Sequence, residues 1–200
     1  GDNILDACSA PGGKASHIQE IRKNKGSIIC FDKNPNRIEM GKENFERLAI
    51  KNATWVANDI LEIENTEHYH LYDTVIVDAP CSAVGTYHRH PELKYMFLTQ
   101  RLEICVPMQK AILEKMAGVV KKNGFLVFSV CSTVPEEGEK QIKNFLTSHP
   151  EFAVDMTVSK HEMLKPFLAD GFFQTIPYQH KMDGFFAVRL YKKGSAEDYQ

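Results

Sequence analysis

The chain has 200 residues, 43% of them hydrophobic and 25% charged, and a formal net charge of −2 at pH 7. This length and composition favour one domain with a substantial core and exclude a disordered chain or a coiled coil. The balanced charge lacks the basic signature of many nucleic-acid binders, and no apolar run approaches the roughly 20 residues of a membrane span. The five cysteines are odd in number and include no C-x-x-C pair. They therefore argue against a disulfide framework or a zinc site and indicate a reduced, intracellular protein.

The first half of the chain alternates predicted strands and helices, the pattern of an open parallel α/β sheet. The run over 74–77 is typical of a strand buried on both faces, and Pro35 begins the second predicted helix. The predicted elements are, in order, a strand over 3–7, a helix from 12 to about 23, a strand over 27–31, a helix from 35 to about 50, and strands over 53–57 and 74–77.

The second half continues the alternation after a long loop over 80–91. Its predicted elements are a helix from 95 to about 120, with a break before Pro107 left open, a strand over 125–130, a helix over 136–148 and a late strand over 185–191. The segment over 152–177 is the least legible and predicts one or two further strands, and the tail over 192–200 is expected to fray. The whole pattern predicts a doubly wound, mostly parallel sheet whose site lies at the strand C-termini. Because Gly1 directly precedes a strand, we expect a fragment whose natural N-terminus lies elsewhere.

A glycine-rich turn, Gly12-Gly13, follows the first predicted strand, which is where nucleotide-like cofactors bind in this class of fold. The missing Cβ atoms let the backbone turn tightly and approach a ligand, although a purely structural turn is an alternative. Asp32 ends the second strand nineteen residues after Gly13, where a carboxylate commonly accepts hydrogen bonds from a ribose diol. Asp59 follows the third strand in the same way and is either an adenine contact or a capping residue of a turn.

The spacing of the turn bears on the kind of cofactor. It lacks the Gly-x-Gly-x-x-Gly pattern of dinucleotide folds and the Gly-Lys-Ser/Thr ending of a phosphate-binding loop. A nucleoside cofactor without phosphate, such as S-adenosylmethionine, fits better.

Two cysteines follow two predicted strands, one in Asp78-Ala79-Pro80-Cys81 and the other in Ser129-Val130-Cys131-Ser132. Because the C-terminal ends of parallel strands meet at one edge of a sheet, both thiols are expected beside the cofactor. Such a pair offers one nucleophile and one further acid or base for covalent catalysis. The alternative is two inert core cysteines, the commonest state of a free cysteine, but their shared place at the ligand-binding edge favours chemistry.

Basic residues are concentrated between residues 85 and 122, where seven Lys and Arg stand against three acids and are joined by His88 and His90. This segment is either a surface that contacts phosphates or an ordinary solvated helix face.

Four motifs in the chain resemble, in order, those of the RNA 5-methylcytosine methyltransferases of the Sun/NOL1/NOP2 family. They are Cys8-Ser9-Ala10-Pro11-Gly12-Gly13-Lys14, Asp78-Ala79-Pro80-Cys81-Ser82, Cys131-Ser132 followed by Pro135-Glu136-Glu137, and Asp183-Gly184-Phe185-Phe186. The resemblance extends from Asp2 to about Leu190. The stretch from Tyr87 to Tyr95 is most similar to the bacterial branch that methylates 16S ribosomal RNA.

The resemblance implies a Rossmann-like fold of the class I S-adenosylmethionine-dependent methyltransferase type and a single catalytic domain over residues 1–200. The family's preceding helical segment and separate RNA-binding domain are expected to be absent from this sequence. Asp32 would hold the ribose, Asp59 would approach the adenine, and Asp78 would lie between cofactor and target base. Cys131 would be the nucleophile and Cys81 the thiol that releases the product. The remaining implied contacts are Cys8, Ser9, Ala10, Pro11, Gly12, Gly13 and Lys14 for the cofactor, and Arg89, His90 and Lys94 for RNA.

The implied chemistry needs two thiols because cytosine C5 is a poor nucleophile. A thiolate that adds to C6 gives C5 enamine character, and a base must then remove the C5 proton so that the thiolate can leave. An acidic group near N3 would stabilise the charge that develops on addition, and Asp78 is suited to that role.

Two departures from the family pattern are Ser9 in place of a usual Ala and Val130 in place of a frequent Thr.

Other functions are weighed against this one. A methyltransferase acting on exocyclic amines is disfavoured because its Asn/Asp-Pro-Pro-Tyr/Phe turn is replaced here by Asp78-Ala79-Pro80-Cys81. A non-catalytic S-adenosylmethionine-binding or RNA-scaffold protein and a tRNA methyltransferase remain alternatives. The expected partner is RNA, in particular ribosomal RNA, with no membrane and no metal, and the protein is expected to be monomeric and cytoplasmic.

Overall fold

The computed structural model describes residues 2–95 and 98–194, with the side chain of Lys94 outside the described part. Within these residues the strands form one sheet in the order β3-β2-β1-β4-β5-β9-β8-β7, and β6 also pairs with β9. The strands are β1 (Asn3–Asp6), β2 (Ser27–Asp32), β3 (Ala53–Ala57), β4 (Tyr72–Asp78), β5 (Val120–Val130), β6 (Phe152–Val154), β7 (Leu168–Ala169), β8 (Phe172–Thr175) and β9 (Phe185–Lys192). The helices are α1 (Gly13–Ile21), α2 (Pro35–Arg47), α3 (Leu98–Val119), α4 (Glu139–Ser148) and α5 (Pro177–His180).

The strands from β3 to β5 are parallel, and β9 runs antiparallel to β5. The chain starts in the middle of the sheet at β1, moves outward to β3 and then returns to β4 on the other side of β1. This reversal creates a crevice beyond the C-terminal ends of β1 and β4, the usual ligand site of open α/β sheets. The predicted doubly wound, mostly parallel sheet is confirmed.

Hydrophobic side chains cover both faces of the sheet, because successive strand residues point to opposite sides. Ile4 and Ile76 belong to a smaller cluster that includes Phe45 of α2. Their neighbours Leu5 and Val77 belong to a larger cluster, together with side chains of α3 and α4. Within the described residues, no helix is long and apolar enough to cross a membrane.

Several predicted boundaries differ from the structure, among them those of α3, β5 and α4. Helix α3, Leu98–Val119, continues through Pro107, so the break that the sequence left open does not occur. Strand β5 starts at Val120, directly after α3, and its pairing with β4 shifts register after Tyr72. Helix α4 begins at Glu139 rather than at residue 136, because the preceding residues form a turn in which Glu137 N–H donates to the carbonyl of Val134.

The segment over 152–177, predicted to hold one or two strands, contains β6, β7 and β8 within its described residues, separated by short 3₁₀ turns. Strand β6 is stabilised by pairing with β9, where Phe152 lies opposite Lys192. Such pairing depends on a distant partner and has little local signal. The late strand β9 is confirmed, and the part of the predicted tail beyond residue 194 lies outside the described residues.

Gly85 and Gly184 bring two loops into backbone contact beneath the turn that carries Cys131. Gly85 N–H donates to the carbonyl of Cys131 over 3.1 Å, and Gly184 N–H donates to the carbonyl of Gly85 over 2.8 Å. A Cβ atom on Gly85 would lie 1.9 Å from the Gly184 carbonyl oxygen, whereas one on Gly118 in α3 would meet nothing within 4 Å. Only a residue without a side chain fits at this contact.

We expect Gly85→Ala to lower the free energy of unfolding by about 1–3 kcal/mol or more, because the loops must separate to admit the methyl group. The matched control Gly118→Ala should raise it by roughly 0.5–1 kcal/mol, since alanine favours a helix interior. Urea unfolding followed by circular dichroism measures both. Equal shifts of the two midpoints would contradict the close contact.

Candidate functional site

A cleft of about 640 Å³ lies beyond the C-terminal ends of the parallel strands. It is the crevice expected from the reversal of strand order between β1 and β4. Among the residues lining it are Cys8, Ala10, Asp32, Arg37, Asp59, Asp78, Cys81 and Cys131. The structure therefore brings Cys8 and Ala10, which precede the glycines of the turn, to the same place as three of the predicted carboxylates and both predicted thiols.

The glycine turn is tied to the end of β2. Ser9 N–H donates to the carbonyl of Phe31 over 2.8 Å, and Ala10 N–H donates to a carboxylate oxygen of Asp32 over 3.2 Å. Gly12 adopts a left-handed backbone with φ of +91°, and a Cβ there would lie 2.9 Å from the ring of Phe45. Close packing thus requires glycine at this position.

Some of the predicted turn residues line the cleft, and the others are buried outside it or exposed. Cys8 and Ala10 line the cleft, whereas Ser9 and Gly12 are buried away from it. Pro11, Gly13 and Lys14 are exposed. Burial raises the pKa of the Cys8 thiol well above its usual range, so this cysteine stays neutral.

Asp32 joins the glycine turn to the start of α2. Its side chain is 7% exposed, and its carboxylate accepts hydrogen bonds from the backbone N–H groups of Ala10 and Asn34. Arg37 lies 3.5 Å from the same carboxylate and also donates to the carbonyl of Ala10. Arg37 was not singled out from the sequence, where the feature that could indicate its role is its place in the first turn of the helix after Asp32.

Asp59 caps a short helix and also borders the cleft. Its carboxylate accepts from Leu61 N–H over 3.0 Å and so caps the 3₁₀ helix Ile60–Asn65. It also lines the cleft. The capping interpretation is confirmed, and the adenine contact stays a prediction.

Asp78, at the end of β4, is held from two directions. One carboxylate oxygen accepts from the Ser129 hydroxyl over 2.7 Å, and the other pairs with the Lys14 ammonium over 2.5 Å. Lys14 also lies 5.6 Å from the ring centroid of Phe185. The sequence analysis did not assign a role to Ser129, which directly precedes Val130 on the neighbouring strand β5.

The two predicted thiols are in direct contact. The sulfur atoms of Cys81 and Cys131 are 3.2 Å apart, and both side chains are partly buried in the cleft. A hydrogen bond from the Cys81 thiol lowers the pKa of Cys131 despite its burial, with a smaller lowering by the charge of Lys14. The same hydrogen bond, together with burial, raises the pKa of Cys81 above its ordinary value. Of the two thiols, Cys131 therefore forms the thiolate more readily, and its role as nucleophile stays a prediction.

Arg89 and His90, two of the predicted RNA-contacting residues, do not line the cleft. Arg89 and His88 both pair with Asp183, at 2.5 Å and 3.1 Å. His90 lies 3.2 Å from a carboxylate oxygen of Glu92. The side chain of Lys94 lies outside the described residues. Neighbouring acids therefore partly neutralise this basic segment.

One buried acid was not singled out by the sequence. Asp6, the last residue of β1, lies directly beneath the glycine turn, and burial raises its pKa to about 7. No group of three or more His, Cys, Asp or Glu side chains in the described part of the chain is arranged to hold a metal ion.

The parallel sheet with its cleft at the strand C-termini has the Rossmann-like fold of class I methyltransferases. The family model of the 16S rRNA methyltransferases RsmB/F matches residues 1–191, and the chain belongs to this family. The resemblance drawn from the four motifs is confirmed.

The relatives extend well beyond the region they share with this chain. A Bacillus subtilis protein is 36% identical over 195 residues, which cover 96% of this chain and 44% of that protein. The ribosomal RNA small subunit methyltransferase B of Shewanella oneidensis is 34% identical over 189 residues, covering 94% of this chain and 42% of that protein. The chain thus spans less than half the length of these relatives.

A solved structure shares the fold over nearly the whole chain. NSun6 from Pyrococcus horikoshii, crystallised with SFG, an analogue of S-adenosylmethionine, superposes with a TM-score of 0.83 at 28% identity. The match covers 97% of this chain and 48% of that protein.

Proposed function

We propose that this chain is the catalytic domain of an S-adenosylmethionine-dependent RNA methyltransferase that methylates cytosine C5, with 16S ribosomal RNA as its substrate. The observation that carries the proposal is the 3.2 Å contact between the sulfur atoms of Cys81 and Cys131 in the cleft that also holds Asp78. Methylation at a ring carbon needs a nucleophile and a second acid–base group, whereas methylation of an amine needs neither thiol. The Shewanella relative's name, a ribosomal RNA small subunit methyltransferase, supports this substrate class.

The cleft residues fit S-adenosylmethionine. Asp32 lies where a ribose diol is usually bound, and Asp59 lies further along the same cleft, within reach of an adenine. Cys8 and Ala10 offer a small, neutral wall for the methionine part. When bound, the cofactor supplies an electrophilic methyl group.

Cys131 is the group that attacks cytosine C6. Its lowered pKa places more of the thiolate at neutral pH, and the thiolate rather than the thiol is the nucleophile. Addition to C6 would make C5 nucleophilic enough to take the methyl group from the cofactor, with the demethylated thioether as the leaving group. The adduct then breaks down when the C5 proton is removed, which restores the C5–C6 double bond and expels the Cys131 sulfur.

Cys81 and Asp78 serve the two proton-dependent parts of the reaction. Cys81, at 3.2 Å from the nucleophile, loses its own proton to solvent once the Cys131 sulfur is bonded to C6, and its thiolate then removes the C5 proton. The Lys14–Asp78 pair donates the proton that neutralises the charge developing at N3 when the thiolate adds, and Ser129 holds the Asp78 carboxylate in place. We further propose that the protein acts as a cytoplasmic monomer.

Methylation by the full-length protein tests this function. Incubation with S-adenosylmethionine and 16S rRNA, followed by bisulfite sequencing, should reveal a protected cytosine that is absent without the cofactor. Methylation of tRNA instead would favour the tRNA alternative. Cofactor binding with no methyl transfer to any RNA would favour the non-catalytic alternative.

Arg89, His90 and Lys94 are proposed to contact RNA phosphates near the target. Neutralising Arg89 and Lys94 together to Gln should weaken RNA binding by the full-length protein and reduce the slope of log K against log salt by roughly 0.7 for each lost contact. Cofactor affinity should not change. The control Lys143→Gln removes an equally exposed charge from α4. A wild-type slope in the double variant would favour the solvated-face interpretation.

A further inference from the structure

A fully buried carboxylate, Glu137, lies directly behind the two thiols. Its exposure is 0%, and the mechanism above does not use it. One carboxylate oxygen accepts from Ser82 N–H over 2.7 Å and from the Gln109 side chain over 3.2 Å, and the other accepts from the Ser82 hydroxyl. Burying a carboxylate is costly, so a position that needed only packing would be filled more cheaply by an apolar side chain.

The donors to Glu137 are Ser82, in the turn that carries Cys81, and Gln109 on α3. Ser82 directly follows Cys81, and its hydroxyl lies 3.4 Å from the hydroxyl of Ser132, the residue after Cys131. Gln109 also donates to the carbonyl of Pro80 over 2.9 Å and so holds the residue before Cys81. The carboxylate therefore ties the Cys81 turn to α3 directly, and it reaches the Cys131 turn through the Ser82–Ser132 contact.

We propose that Glu137 is a positioning residue that fixes the separation of the two catalytic sulfur atoms. It does so by anchoring the Cys81 turn through Ser82 and Gln109, and through the Ser82–Ser132 contact it holds that turn against the Cys131 turn. The expected effect on methylation rests on the proposed function, whereas the expected effect on the separation of the sulfur atoms does not.

The consequence for the thiols follows from their contact. The hydrogen bond between the sulfur atoms both lowers the pKa of Cys131 and raises that of Cys81, so a displaced Cys81 turn would reduce the difference. Burial and the charge of Glu137 add to the rise at Cys81, and the Glu137→Gln variant removes that charge without removing the acceptor. Other charges face the pair and stay in place when Glu137 is changed. They are Asp78 from β4, Lys14 from α1 and Arg101 from α3, whose guanidinium donates to the carbonyl of Cys81 over 3.4 Å.

The first experiment measures thiol reactivity in the full-length protein without RNA. Iodoacetamide labelling across pH 6–10, resolved by peptide mass spectrometry, gives separate rates for Cys81 and Cys131. In the wild type, Cys131 should react faster at neutral pH. Glu137→Met keeps the volume but removes every acceptor, and it should reduce this preference about tenfold, since each unit of pKa changes the thiolate fraction tenfold.

Two variants serve as comparisons. Glu137→Gln keeps a carbonyl for Ser82 N–H and Gln109, so it should retain most of the preference for Cys131. Glu136→Met changes the neighbouring, half-buried acid, whose partner is Lys140 among the contacts shown by the described residues, and should behave as wild type.

The second experiment measures methyl transfer. Glu137→Met should lower kcat on the order of 10–100-fold with little change in cofactor affinity, because a 1 Å displacement of reacting groups costs about that much. Wild-type labelling preference and kcat in folded Glu137→Met, with only a lower unfolding midpoint, would overturn the proposal and leave a structural role.

Two further outcomes are decisive. If Glu137→Met does not fold, Ser82→Ala decides, since it removes only the hydroxyl links, and an unchanged labelling preference in it overturns the proposal. The wild type could methylate no RNA while the Glu137→Met variant still loses the labelling preference for Cys131. In that case the proposed function fails and the positioning role of Glu137 is supported.

Discussion

In the full-length protein, Cys131→Ala is expected to abolish methylation together with any covalent protein–RNA adduct, a loss on the order of 10³-fold or more. No group remains to attack C6. Cys81→Ala should also stop turnover, but at a later step, because the adduct still forms and cannot shed its C5 proton. The trapped species should appear as a slow-migrating band on a denaturing gel after incubation with cofactor and RNA.

Because the sulfur atoms are in contact, the rate of adduct formation in Cys81→Ala is expected to depend on pH. Removing the Cys81 thiol removes the donor that lowers the pKa of Cys131. That pKa should therefore rise, so that the thiolate fraction of Cys131 at neutral pH falls. The adduct in Cys81→Ala should consequently form slowly at neutral pH and faster as the pH is raised.

Cys105→Ala is the matched control, since Cys105 is a partly buried cysteine on α3 that does not line the cleft. It should methylate RNA normally and give no band. A band with Cys131→Ala and none with Cys81→Ala would reverse the two roles. Retained activity in both variants without any band would contradict the covalent mechanism.

Asp32→Ala is expected to weaken binding of S-adenosylmethionine or its demethylated product roughly 10- to 100-fold, equivalent to about 1.5–3 kcal/mol. The variant loses the acceptor proposed for the ribose. It also removes the acceptor of Ala10 N–H and the charge beside Arg37, so the glycine turn loses one of the two hydrogen bonds that tie it to β2. Isothermal titration calorimetry on the full-length protein measures the change.

Glu43→Ala is a suitable control for this effect, because it removes the same charge from an exposed position on α2. Its affinity for the cofactor should match the wild type. Equal affinities for Asp32→Ala and the wild type would remove Asp32 from the cofactor site.

Local patterns predicted the parallel half of the sheet well because its strands contain mostly apolar runs bounded by turn residues. The bounds of β3 agree with the prediction, and those of β1 and β2 differ by one residue at one end. The prediction was least complete between residues 152 and 177, where β6 and β8 exist because β9 lies beside them. The sequence left open whether Pro107 breaks its helix, and the structure shows a continuous helix.

The sequence by itself determined the class of fold, the family and the edge of the sheet where the site lies. Glycines, prolines and cysteines at the ends of buried runs mark strand C-termini, and parallel strands bring those ends together whatever the details of packing. Only the tertiary structure decided the distances: the sulfur contact, the Lys14–Asp78 pair and the burial of Glu137. These contacts join residues 50, 64 and 55 positions apart. Side-chain separations across such spans depend on how whole strands and helices pack, and no local pattern encodes them.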